Sequence, residues 1–320
     1  MKQAFEQNVI AIIWDFDKTL AKDYMQKPIF NKYNVDEKLF WEENNNLVNE
    51  YKEMGITINK DTVYLNHFLT CVEQGIFPGL NNEVLKNLGS EIEFYNGLPD
   101  FFQTVKKVVE DNPEYQKFKI SVEHYIVSTG LKAMIEGSKI APYVEGIWGC
   151  EFIEEPIQSK LKGTITKDKS KEYDKVIKQI AYAIDNTSKT RALFEINKGV
   201  NLHSEIDVNA RMPKEYRRIP FSNMIYIADG PSDVPIFSVL KQNGGKTFAV
   251  YPKGNVEHLN QVDQLREDNR IDMYGEADYT EGTLTYLWII ETVKKIADNI
   301  YSKKEAAIKQ NSSVSPRHII

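Results

Sequence analysis

The chain has 320 residues, 42% hydrophobic and 27% charged, the make-up of a soluble globular protein with room for one large α/β domain or two smaller ones. Its net charge of −6 argues against a nucleic-acid partner, whose phosphates need clustered Lys and Arg, yet leaves a small anionic ligand open because a pocket can be locally positive. Two cysteines, Cys71 and Cys150, exclude a disulfide framework and a four-cysteine zinc site, and the lack of any signal-like or bilayer-length apolar run predicts a cytoplasmic protein without membrane attachment.

The first element is Val9 to Trp14, an apolar run that reads as a strand buried on both faces, as in parallel sheets. It ends in Asp15-Phe-Asp17-Lys-Thr19. Asp15 and Asp17 are one residue apart, so an extended backbone points both to one side, where their repulsion calls for a hard divalent cation such as Mg²⁺ or a nearby lysine.

Helical periodicity follows. Phe40, Leu47, Tyr51 and Met54 predict a helix over 36–53 with the Asn44-Asn45-Asn46 run outside. A second helix fits 61–74, with Asp61 as N-cap and Gly75 as C-cap, and a third fits 82–88, closed by Gly89. The stretch 21–95 is therefore expected to be an inserted helical module.

A helix starting near Pro99 leads to the strand His124 to Val127, which ends in Ser128-Thr129-Gly130. Residues 146–153 read as a strand, and the lysine-rich stretch from Ser159 to Lys178 as a solvated excursion with some strand. Lys189 stands at the start of a helix that stops near Gly199. A further apolar strand from Asn223 runs into Asp229-Gly-Pro-Ser-Asp233, followed by a helix to Gly244, a strand over 246–251, a helix over 256–266 and a long helix over 283–304. Residues 311–320 are expected to be a disordered tail. Strands alternating with helices predict a parallel sheet, whose strand ends would gather Asp15, Asp17, Ser128, Thr129, Asp229 and Asp233 at one edge. Carboxylates, hydroxyls and a lysine so gathered suit phosphoryl transfer, in which positioning and charge neutralisation carry most of the catalysis.

In this order the motifs resemble the haloacid dehalogenase superfamily, and within it the phosphoserine phosphatase-like branch of aspartate-nucleophile phosphatases. Asp15-Phe-Asp17-Lys-Thr19, Ser128 after Tyr125-Ile-Val, Lys189 and Asp229-Gly-Pro-Ser-Asp233 carry the resemblance. It implies a doubly wound, Rossmann-like parallel sheet formed by 1–20 and 96–310, with 21–95 as a helical cap. It also implies roles: Asp15 as nucleophile, Asp17 as acid and base, Ser128 and Thr129 on the phosphoryl oxygens, and Lys189 as neutralising cation. Mg²⁺ would sit on Asp15, the Asp17 carbonyl and Asp229, supported by Asp233. The expected partner is a small phosphorylated metabolite, with oligomeric state left open.

Two features depart from the branch. Tyr24 stands where it carries the glutamate that reads the amino group of phosphoserine, which argues against that substrate, and Ser232 replaces an asparagine. Lysines are frequent from Lys160 to Lys198, and Lys189 is preferred among them for its place at a helix start. A phosphotransferase on the same fold and a non-catalytic metal-binding regulator are the alternatives; Asp17 counts against the second, since a binder has no need of an acid beside a nucleophile. Three weaker features read as structural: His67 and Cys71 four apart on one helix, Arg217-Arg218, and the aromatics Phe30, Tyr33, Phe40 and Trp41.

Overall fold

The chain alternates between strands and helices, as the apolar runs and caps dictate, in a computed structural model that describes residues 5–157, 161 and 175–313. β1 (Val9–Trp14) is followed by four helices: α1 (Lys27–Tyr33), α2 (Glu37–Glu53), α3 (Val63–Glu73) and α4 (Asn82–Gly89). Next come α5 (Asp100–Glu110), the single turn α6 (Pro113–Gln116), β2 (Ser121–Leu131), α7 (Lys132–Glu136), β3 (Gly146–Ile153) and β4 (Gln179–Tyr182). The last part carries α8 (Lys189–Lys198), β5 (Met224–Ala228), α9 (Val234–Gln242), β6 (Lys246–Tyr251), α10 (Val256–Glu267), β7 (Met273–Glu276) and α11 (Leu284–Ser313).

The strands form one seven-stranded sheet in the order β4-β3-β2-β1-β5-β6-β7, parallel except for the antiparallel edge pair β3–β4. Alternation along β1 divides its side chains between two cores. Ile10, Ile12 and Trp14 face α5, α7 and α11, whereas Ala11 and Ile13 face α8, α9 and α10. This is a doubly wound sheet with a helical insert between its first strand and α5.

The insert is not a separate droplet of hydrophobic residues. Phe30, Phe40, Phe68 and Phe77 pack together within it, and their cluster continues into Met134 and Phe102 on the sheet side. Where α4 crosses α7, no side chain intervenes: a Cβ on Gly89 would lie 2.0 Å from the Met134 carbonyl oxygen, and one on Gly137 would lie 1.7 Å from that of Lys86. Gly89 is therefore the last residue of α4 rather than its stop, and is there for close approach.

Several further elements depart from expectation. α1 and β7 were not foreseen from the sequence, because α1 is only seven residues long and Met-Tyr-Gly-Glu has no apolar run. α3 begins at Val63 with Thr62 at its N-cap, and the Asp61 carboxylate instead accepts a hydrogen bond from the Asn186 main chain at 3.4 Å. Asn44, expected on the outside of α2, is 4% exposed, since it follows Phe40 by four residues and shares its face. α11 continues to Ser313, and the remainder of the expected tail lies outside the described residues, as does most of the lysine-rich stretch; Ile177 at its end is buried, with its N–H donating to the Leu80 carbonyl. No helix among the described residues is long and apolar enough to cross a membrane.

Candidate active site

The chain fills the sheet from β1 outward to β2, β3 and β4, then returns to place β5 on the other side of β1. Such a reversal opens a crevice at the carboxyl ends of the strands on either side of it, where ligands of open α/β sheets bind. Asp15 leaves β1 at that point, still held to the ladder by its N–H donating to the Ile227 carbonyl at 2.9 Å. Asp229 leaves β5 beside it.

The turn after Asp15 is tightly specified. The N–H groups of Leu20 and Ala21 both donate to the Phe16 carbonyl, Lys18 occupies the left-handed region at φ 56°, and the Tyr279 hydroxyl donates to the Thr19 carbonyl at 2.7 Å. A residue other than glycine in that region is uncommon and marks a turn the surroundings impose. The Thr19 hydroxyl reaches back to Asp15 Oδ2 at 3.1 Å, and the Met25 N–H donates to Asp17 Oδ1 at 2.9 Å.

Lys189 joins the two sides. Its helix starts in a turn that the Asp185 carboxylate closes by accepting from the Thr187 and Ser188 N–H groups. From there its ammonium donates to Asp15 Oδ1 and to Asp233 Oδ1, each at 2.7 Å, and is 2% exposed. Among the neighbouring lysines, Lys198 instead donates to the Val208 and Ala210 carbonyls. Asp233 is fully buried and is further fixed by the Tyr226 hydroxyl at 2.5 Å and the Ser232 hydroxyl at 3.0 Å. Tyr226 and Tyr279 were not singled out by sequence reasoning; for Tyr226 the signal was available, since a tyrosine inside an apolar strand must find a partner for its hydroxyl.

Asp15, Asp229 and Asp233 bring carboxylate oxygens within 4.8 Å of one another. Three carboxylates there face one ammonium, and the electrostatics follow. Burial raises the Asp15 carboxyl to about 6 in spite of Lys189, and burial with the charges of Asp15 and Asp233 pushes Asp229 well above the carboxylate range. Burial works against the Lys189 ammonium, but Asp15 and Asp233 outweigh it and hold the group above its ordinary value. Asp17, outside the cluster, is raised to about 8 by burial and by Asp15. An all-oxygen set short of positive charge fits a hard divalent cation.

The hydroxyl motif sits at an irregularity. The β2–β3 register shifts between Val127 and Leu131, so Ser128, Thr129 and Gly130 bulge out of the ladder at the strand's carboxyl end. Ser128 Oγ accepts from the Gly130 N–H at 2.9 Å, and the Thr129 carbonyl accepts from the Tyr64 hydroxyl of the insert at 2.6 Å. Between insert and sheet edge lies a cavity of about 340 Å³ reached by Asp17, Thr129 and Gly130 from the sheet side.

The weaker sequence features lie elsewhere. Arg218 forks onto Glu123, near the opposite end of β2, and Arg217 donates to the Met212 carbonyl. His67 packs on Phe40 with ring centroids 4.6 Å apart, and Cys71 is buried in the same cluster. Of the four aromatics, Phe30 and Phe40 fill the insert, Tyr33 packs against Phe77, and Trp41 lines the cavity.

No family model matches the chain. It is 40% identical over 291 residues to an uncharacterized protein of Borreliella burgdorferi, covering 90% of this chain and 97% of that one. Among solved structures, a HAD family hydrolase from Salmonella enterica serovar Typhi superposes with a TM-score of 0.50 at 13% identity, over 91% of this chain and 72% of that one. A probable phosphoserine phosphatase from Vibrio cholerae, unliganded, gives a TM-score of 0.50 at 11% identity, over 92% and 68%. The chain belongs to one family with the Borreliella protein, and its fold is the phosphoserine phosphatase-like fold of the haloacid dehalogenase superfamily.

Proposed function

We propose that the protein is a Mg²⁺-dependent phosphatase that hydrolyses a small phosphomonoester through an aspartyl-phosphate on Asp15, with residues 21–95 acting as a cap over the core. The observation that carries this reading is Lys189, buried and bridging Asp15 and Asp233 beside Asp229. A buried ammonium held between two carboxylates is costly as a mere structural device, and it suits a site that must accept a phosphate dianion beside a carboxylate nucleophile.

In the first half-reaction an Asp15 carboxylate oxygen attacks phosphorus and the ester P–O bond breaks. Asp17 gives its proton to the departing alkoxide, and its raised carboxyl keeps that proton available at neutral pH. In the second half a water attacks the aspartyl-phosphate, Asp17 takes the water's proton, and Asp15 is regenerated as inorganic phosphate leaves. Ser128 Oγ accepts from Gly130, which leaves its own hydroxyl proton to donate to a phosphoryl oxygen, with Thr129 beside it. Thr19 and Lys189 fix the two oxygens of Asp15 in place. Mg²⁺ would be held by Asp15, Asp229 and the Asp17 carbonyl, with Asp233 in support, and when bound supplies positive charge against the phosphoryl oxygens.

Phosphate release from a panel of phosphorylated metabolites, with and without Mg²⁺, tests the proposal. Asp15→Asn is expected to abolish release, and Asp17→Asn to lower it by about 10²- to 10⁴-fold, the usual worth of a positioned acid and base. Undiminished release by Asp15→Asn would sink it.

A further inference from the structure

The cavity over Asp17 has an unusual lining for a small-molecule site at the lower end of the ~300–1,000 Å³ range. Three of its residues are amides, the exposed Asn45 and two buried ones, Gln26 from the turn before α1 and Asn44 from α2. The buried two are 3% and 4% exposed, yet Gln26 Oε1 and Asn44 Oδ1 have no hydrogen-bond partner among the described residues. Buried amide groups left unmet cost about 1–3 kcal/mol each, and orphans of this kind are rare in folded proteins. Two such side chains lining one cavity, beside the proposed acid, point to groups that a ligand brings.

The chemistry of that ligand follows from what an amide can pair with. An amide offers an acceptor and two donors, and a hydroxyl, which both gives and takes, matches it in either orientation. An ammonium would meet the two oxygens but none of the amide N–H groups, and a carboxylate the N–H groups but neither oxygen. A carboxylate would also face Asp17 and Asp61 against the single Lys60, with no arginine lining the cavity among the described residues. Tyr24, Trp41 and Tyr64 add flat ring surface. Lys18 already stands 3.9 Å from the centre of the Tyr24 ring, so that face is not open to a cationic head group. Amides with aromatic faces are what a ring or chain bearing several hydroxyls requires, polar at its edge and apolar along its C–H face.

We propose that Gln26 and Asn44 are specificity-determining residues that hydrogen-bond hydroxyl groups of the leaving alcohol, and that the substrate class is the monophosphate of a small polyhydroxylated alcohol, a sugar or polyol phosphate. The inference rests on the phosphatase reading for the position of the phosphate, and it deepens that reading by assigning the other end of the substrate.

Calorimetric titration of the full chain in its Asp15→Asn form, with Mg²⁺ present, separates the two. A hexose 6-phosphate and glycerol 3-phosphate are titrated against inorganic phosphate, phosphoserine and phosphoethanolamine. At least one of the hydroxylated pair is expected to bind about tenfold tighter than the other three. Gln26→Leu or Asn44→Leu should reduce that advantage over inorganic phosphate by about tenfold. The same substitutions should raise the thermal midpoint of the free protein, because they remove an unmet buried amide, whereas a purely structural amide would lower it when lost. Should either variant fail to fold, the ligand-induced rise in the wild-type midpoint, larger for the hydroxylated pair than for inorganic phosphate, decides the matter. Equal binding of all five probes, or preference for an amino compound, overturns the inference. Selective binding without turnover in the wild type would overturn the phosphatase reading and leave this subsite standing.

Discussion

His124 shows how a single buried side chain ties the sheet to pH. It lies fully buried on β2, where the Trp14 indole N–H donates to Nδ1 at 3.2 Å and Nε2 faces the Phe102 carbonyl at 3.2 Å. A ring that accepts at Nδ1 must carry its proton on Nε2, so both neighbours fix one neutral tautomer. Burial, aided by Lys106, lowers its pKa to about 3. An unfolded chain takes up this proton near pH 6.5, whereas the folded one refuses it until about pH 3, so stability falls as pH drops through that window. Between pH 7 and pH 5 the loss from this residue is about 2 kcal/mol, on the scale of 1.36 kcal/mol per unit. Denaturant midpoints at the two values check the direction. Imidazole NMR should show His124 as the Nε2–H tautomer with no titration from pH 7.5 to 4.5, and a midpoint above 5 would contradict the account.

At the scale of elements, the sequence disclosed what rests on runs and caps and hid what rests on tertiary neighbours. β1 begins and ends where its apolar residues do, and α8 ends at Gly199 in the left-handed conformation that glycine tolerates. The gathering of Asp15, Asp229 and Asp233 was legible because parallel strands share a carboxyl edge, and Lys189 was preferred for its place at a helix start. Gln26 and Asn44 were not legible, since an amide belongs to no motif. Only the spacing of Asn44 from Phe40 hinted that it faces inward. Tyr279, outside any strand, was equally silent until its hydroxyl had a partner to reach. The glycine crossing of α4 and α7 is likewise invisible without the packed pair. A methyl group at Gly137 would strike the Lys86 carbonyl, and no rotamer can relieve a clash between Cβ and backbone. Gly137→Ala is therefore expected to cost about 2–3 kcal/mol, as overpacking does, and to lower turnover by shifting the insert relative to Asp17. A denaturation curve superposable on wild type would show that the crossing is looser than drawn.

For the whole molecule, the proposed divalent cation would connect the site to the fold. Asp229 and Asp233 lie after β5 and Asp15 after β1, so a cation held among them binds the folded chain and has no comparable site in the unfolded one. Saturating Mg²⁺ should raise stability by about 2.7 kcal/mol at a concentration 100 times its Kd. Thermal unfolding with Mg²⁺ and with chelator measures this, and Asp229→Asn should remove most of the difference. The strand order has a consequence for synthesis as well. β1 lies between β2 and β5, and β2 is complete at Leu131, whereas β5 begins at Met224. At ~5–20 residues per second the ribosome takes about 5–20 s to bridge that gap. For that interval one hydrogen-bonding edge of the most apolar strand stays open, and the nascent chain holds Asp15 without Asp229 or Asp233. A chain halted there has an exposed edge that needs protection and an incomplete carboxylate cluster.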